Sequence, residues 1–134
     1  MCPILADIDE IHGNQFHALT LFEVLEHLDE PRPLLQRLAT HLVLGGVLIL
    51  ETPNCEGVED IQSREDYLKI HPLEHINAFT AATLEAFAES LGFTRITPAA
   101  AYVTTSLQRV ARNCVKRVIG VATGGTQQYF RKTA

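Results

Sequence analysis

No apolar run in the 134 residues reaches the ~20 needed to cross a bilayer as a helix, so a transmembrane helix is not expected. The first residues, Met1-Cys2-Pro3-Ile4-Leu5-Ala6-Asp7, place no basic region ahead of their apolar ones, so they are not expected to be a secretory signal. Cysteine is scarce. Cys2, Cys55 and Cys114 are scattered, form no CxxC pair and are odd in number, which argues against a disulfide framework. A reducing, cytoplasmic compartment is the expectation. Repeats and low-complexity tracts are also missing.

Acid is absent from one end. Beyond Thr104 there is no Asp or Glu, whereas Arg109, Arg112, Lys116, Arg117, Arg131 and Lys132 are basic. Residues 104–134 therefore carry +6 and residues 1–103 carry −11, against a total of −5. The asymmetry suggests a basic element lying over an acidic one in one fold. An anionic partner is the other reading. Hydrophobic residues make up 46% of the chain and charged ones 20%, enough for one domain with a real core.

The chain alternates strand-like and helix-like segments. Residues 3–8 form a short apolar run ending in acids, and residues 16–24 are apolar and rich in β-formers. Asp29-Glu30-Pro31 is a helix start, with Asp29 as a cap. Leu35, Leu38, Ala39 and Leu42 then recur at helical spacing, and Gly45-Gly46 is read as the stop of a helix over about 31–43. Val47-Leu48-Ile49-Leu50 is the unbroken apolar run of a central parallel strand. Residues 55–75 are polar and irregular, a long functional loop. Thr80 caps a helix with inner face Leu84, Phe87, Ala88 and Leu91, and Gly92 stops it. Residues 93–103 suggest a strand bent at Pro98. Residues 107–119 suggest an amphipathic helix with a basic outer face, and residues 126–132 a last strand. The class is α/β, layered.

The run from Leu21 to Leu28, then a helix, then Leu44-Gly45-Gly46-Val47-Leu48-Ile49-Leu50-Glu51-Thr52-Pro53-Asn54 resembles class I S-adenosylmethionine (SAM)-dependent methyltransferases. There it corresponds to strand 4, helix D and strand 5. The stretch from His71 to Thr80 is similar to the approach to helix E, and the end of the chain to strand 7. The resemblance covers nearly all of residues 1–134, and it implies a partial Rossmann-like sheet comprising strands 3 to 7 with helices D and E. The family's strand 1, its GxGxG-type loop and the acidic residue that ends strand 2 have no counterpart. The glycines would let backbone approach SAM and the acid would hold the ribose hydroxyls. Strands 1 and 2 being absent, a truncated product, a fragment or a mis-assigned start is expected, with little SAM affinity in the chain alone.

By the same resemblance, Asp7 and Ile8 stand where an acidic–apolar pair meets the adenine, and Leu21 and Phe22 where backbone faces the methionine part of SAM. The bland alternatives are a solvated strand end and plain core. Glu23, Glu26 and His27 form an E-x-x-E-H cluster; a helical turn there would put all three on one face. Two carboxylates and an imidazole could bind a divalent cation, with His75 as fourth ligand. This resembles the metal-using subgroup that includes quinone-biosynthesis O-methyltransferases and small-RNA 2′-O-methyltransferases, in which the metal activates a substrate hydroxyl. Alternatively Glu23 and Glu26 merely favour a helix start, and His27 is a general base or a hydrogen-bonded core histidine. His71 reads as a loop histidine bonded to carbonyls, and Asn54 as either a substrate contact or a turn former.

The implied activity is methyl transfer from SAM to an unknown acceptor, with His27 and Glu23 as catalytic candidates. The alternative is a non-catalytic methyltransferase-like module that needs a partner chain to complete the SAM site. A homo-oligomer or a missing N-terminal segment could fill that role. Neither a membrane nor a nucleic acid is indicated as a partner.

Overall fold

Three apolar strands of one direction and a fourth of the other build the sheet of the computed structural model, which describes residues 8–11, 16–101 and 126–134. A 3-10 turn, Ile8–Glu10, precedes strand β1, Phe16–Phe22. A second 3-10 turn, Leu25–His27, leads to helix α1, Pro31–Thr40, and strand β2, Leu42–Glu51. Then come α2, Arg64–Ile70; α3, Ala81–Glu89; β3, Phe93–Ile96; α4, Pro98–Ala101; and β4, Gln128–Lys132. The sheet order is β1-β2-β4-β3. β1 and β2 are parallel and adjacent, with Leu21 opposite Leu50 and Phe22 opposite Glu51. β4 runs antiparallel to both β2 and β3. This is the α/β, partial Rossmann-like arrangement expected from the sequence, and the parallel pair needs the helix α1 as its crossover.

The core follows the hydrophobic pattern. Leu48 and Leu50 of β2 and Phe130 of β4 are fully buried, together with Leu35 of α1 and Leu84 and Ala88 of α3. Each fully buried leucine or phenylalanine stabilises by about 1.5–3 kcal/mol relative to exposure. Thr80 caps α3 in a reciprocal capping box with Thr83. Lys132 of β4 donates to the carbonyls of Ala39 and Leu42, satisfying a carbonyl that α1 leaves open at its C-terminal end.

Several elements depart from the sequence expectations. α1 ends at Thr40, and Gly45-Gly46 sit inside β2 rather than stopping a helix. Gly45 takes φ +79°, and a Cβ on Gly46 would stand 2.8 Å from both the Leu42 side chain and the Val43 carbonyl. The glycines therefore form an irregularity that shifts the β1–β2 register between Phe16 and Ala18. Asp29 is not the cap of α1. The N-cap is Glu30, which makes no side-chain cap bond, and Pro31 opens the helix. The strand expected over 93–103 stops at Ile96, because Pro98 starts the short helix α4 instead of bending a strand. Residues 55–75 are not wholly irregular: Ser63 caps α2, its hydroxyl accepting from the Asp66 amide. The basic helix over 107–119 lies outside the described residues. So does the strand over 3–8, apart from Ile8, which stands in the first 3-10 turn. Among the described residues no helix is long and apolar enough to cross a membrane.

Candidate active site

The chain leaves β1 at Phe22 and turns sharply. Glu23 adopts φ +52°, a left-handed backbone unusual outside glycine, while its amide still donates to the Glu51 carbonyl at 2.9 Å. The turn Leu25–His27 then carries Glu26 inward, where it is only 1% exposed. The expected single helical face for Glu23, Glu26 and His27 does not form as such. Glu23 precedes the helical turn, and the strained backbone brings its carboxyl to Glu26 instead.

The segment before α3 clamps this turn from the other side. The amides of Ile76 and Asn77 both donate to the Glu26 carbonyl, at 2.8 and 3.0 Å. The Asn77 side-chain amide donates to the carbonyls of Leu25 and Leu28, at 3.2 and 2.6 Å. His27 Nδ1 lies 2.9 Å from the Glu74 carbonyl oxygen. A carbonyl can only accept, so Nδ1 of His27 is the donor in that bond and Nε2 is the ring nitrogen left for the cluster.

The result is a cluster at the C-terminal edge of the parallel strands, where open α/β sheets bind ligands. Glu26, His27 and His75 each bring one potential ligand atom within 4.8 Å of the others. His27 Nε2 lies 3.9 Å from Glu26 Oε1, and the His27 and His75 rings meet edge-on with centroids 4.7 Å apart. Among the described residues, both carboxylate oxygens of Glu26 are buried without a geometric hydrogen-bond donor. An unpaired buried carboxylate is costly unless a cation or a proton meets it. Glu23 lies beside this group rather than in it. Its carboxyl is pushed above the ordinary carboxylate range, first by burial, then by the Glu26 carboxylate, with Glu51 adding to the effect. When protonated, Glu23 shares a hydrogen bond with Glu26, which is the one donor the buried carboxylate then has.

The other sequence candidates fall as follows. Leu21 is core, and Phe22 is 47% exposed beside Glu23. Ile8 is half-buried in its 3-10 turn, and Asp7 lies outside the described residues. His71 closes α2 with a left-handed φ of +46°, its ring 5.2 Å from that of His75. Asn54 is a turn former: its side-chain oxygen accepts from the Glu56 amide at 3.1 Å. Cys55 is buried, and burial raises its thiol pKa, so it is a core residue and not a nucleophile. Sequence reasoning passed over Asn77 and Glu51. Asn77 is the clamp, and its only sequence signal is its place two residues after His75.

Comparison with known proteins agrees with this architecture. Solved structures of the plantazolicin methyltransferase BpumL superpose with a TM-score of 0.57, both in complex with SAH and with SAH plus a pentazolic desmethylPZN analog. A complex with a triazolic analog gives 0.56. Each is 15% identical to this chain, so the likeness is one of fold. The match covers 98% of this chain and 58% of the BpumL chain, so the present sequence spans little more than half of that protein's length. No curated protein matches. A family model described as a methyltransferase domain matches residues 6–97, the stretch that holds β1, the clamped turn, α1, β2 and the His71–Asn77 segment, and the chain thus belongs to the methyltransferase-domain family.

Proposed function

We propose that the chain supplies the acceptor side of a methyltransferase that uses SAM as donor, with Glu26, His27 and His75 as a divalent-cation site and Glu23 beside it. The observation that carries the reading is the Glu26 carboxylate, 1% exposed, with no donor among the described residues other than a protonated Glu23, and grouped with two imidazoles. Mixed carboxylate and imidazole donors suit a transition-metal or magnesium-like cation. A cation bound there supplies Lewis-acid chemistry, lowering the pKa of an acceptor hydroxyl. Glu74 and Asn77 fix the turn, so that Nε2 of His27 is the ring nitrogen offered to the cluster. That nitrogen cannot both bind a cation and take a proton. Without a cation it would serve as the base that accepts the acceptor's proton.

In the transfer, the acceptor's nucleophilic atom bonds to the methyl carbon as the sulfonium carbon–sulfur bond breaks, and the acceptor gives up one proton. The chain's part is positioning and electrostatics. On the donor side, the backbone at Leu21 and Phe22 would face the methionine part and Asp7 and Ile8 the adenine, while a glycine-rich loop would come from outside these 134 residues. Two measurements test the proposal. Calorimetry with Mn2+ should show saturable binding that Glu26→Gln weakens at least tenfold; equal binding by the variant removes the cation site. Calorimetry with SAM on the chain alone should show affinity weaker than micromolar, and micromolar binding would overturn the division of the donor site.

A further inference from the structure

The mouth of the cluster is apolar and acidic together, an unusual pairing for a solvent-facing edge. Leu73 is 87% exposed and Ile76 62% exposed, and they flank Glu74 and His75 on the clamp itself. Tyr67 of α2 is also exposed; its ring lies 6.2 Å from that of His71, which in turn neighbours His75. Phe22, the residue before Glu23 at the end of β1, is also exposed. Large exposed apolar side chains scattered singly are ordinary, but several around the mouth of one polar cluster mark a ligand surface. The charge is one-sided. Residues 51–77 hold seven acids against two bases, and residues 20–30 hold four acids and no base. Such a field repels phosphate and carboxylate and favours cations.

We infer that the methyl acceptor is an apolar molecule without anionic groups, neutral or cationic, whose hydrophobic body rests on Leu73, Ile76, Tyr67 and Phe22. The inference rests on the proposed active site, because it takes the cluster as the reacting centre, but its test needs neither SAM nor a cation. The neutral fluorescent probe N-phenyl-1-naphthylamine should bind the whole chain saturably. Decylamine and decanoate, of equal chain length and opposite charge, are then used to displace it below their micellar concentrations. Decylamine should displace at a concentration at least fivefold lower than decanoate, and the gap should shrink in high salt as the carboxylates are screened. The double variant Leu73→Ser/Ile76→Ser should bind the probe at least fivefold more weakly, while Leu73→Met/Ile76→Val retains it. Both positions are exposed, so thermal unfolding of each variant should match the parent within a few degrees. No saturable probe binding, unchanged binding by the serine variant, or decanoate displacing as well as decylamine overturns the inference. Loss of Mn2+ binding with probe binding intact would instead fault only the cation site.

Discussion

At the scale of single residues, the paired carboxylates decide the behaviour of the site. Glu23 has a raised pKa, so the folded chain holds its proton to higher pH than the unfolded chain does. The native state then binds more protons between the unfolded value, near 4.5, and the raised folded value. Stability contributed by this group is present at low pH and falls as pH climbs through that window. Glu23→Gln should remove this slope and raise stability at neutral pH by about 0.5 kcal/mol, small because Glu23 is largely solvent-screened. Denaturant titrations at pH 4.5 and 7.5 check it; a variant as pH-dependent as the parent means that the carboxyls are not coupled. Glu26 shows the opposite side of the same conflict. Glu26→Leu should stabilise the metal-free chain by about 1–4 kcal/mol, since a buried charge without a partner is replaced by an apolar group. The same change should abolish any stabilisation by added Mn2+, and thermal melts with and without the ion read both effects.

At the scale of elements, the 3-10 turn Leu25–His27 is held by a segment about fifty residues further along the chain. Asn77 makes two side-chain bonds to carbonyls of that turn and its flank. Asn77→Ala should cost about 1–3 kcal/mol, from two lost bonds, the one to the Leu28 carbonyl above all, and a loosened clamp. It should also weaken Mn2+ binding severalfold although Asn77 touches none of the ligand atoms, a pairing that a purely structural residue would not give. Gly46→Ala is the matching test for β2. Its Cβ would meet the Leu42 side chain and the Val43 carbonyl, so a loss of about 1–3 kcal/mol in denaturant unfolding is expected. A neutral Gly46→Ala would show that the irregularity can open to accept a methyl group.

At the scale of the whole molecule, the last strand holds the sheet together. β4 lies between β2 and β3 and is antiparallel to both, so the C-terminal residues separate two strands that are consecutive in chain order. Phe130 is fully buried, and Thr126 bonds through its amide and its hydroxyl to buried Thr52. Removing residues 126–134 should therefore abolish cooperative thermal unfolding rather than lower its midpoint, because β2 and β3 lose their common partner. A sharp two-state melt in the truncated chain would show that β1 and β2 with their helices form a sufficient unit.

Much of this was legible in the sequence because the signals are local. The Val47-Leu48-Ile49-Leu50 run, the Thr80 cap and the helical spacing of Leu35 and Leu84 each depend on neighbours within a few positions, and the periodicities of helix and strand expose them. The E-x-x-E-H cluster and His75 were visible as chemistry-bearing residues for the same reason. That His75 would join Glu26 and His27 was also expected, since its segment follows β2, the neighbour of β1, and the two imidazoles do meet; the backbone bonds from Ile76 and Asn77 that hold the turn were not, because they leave no mark on composition. The glycines of β2 misled for a physical reason as well: a left-handed glycine serves a helix end and a strand irregularity equally, and only the pairing with β1 chose between them. Residue type thus determined which groups could do chemistry, while the tertiary structure alone decided that Glu26 is buried unpartnered, that His27 presents Nε2, and that Glu23 shares their carboxylate field.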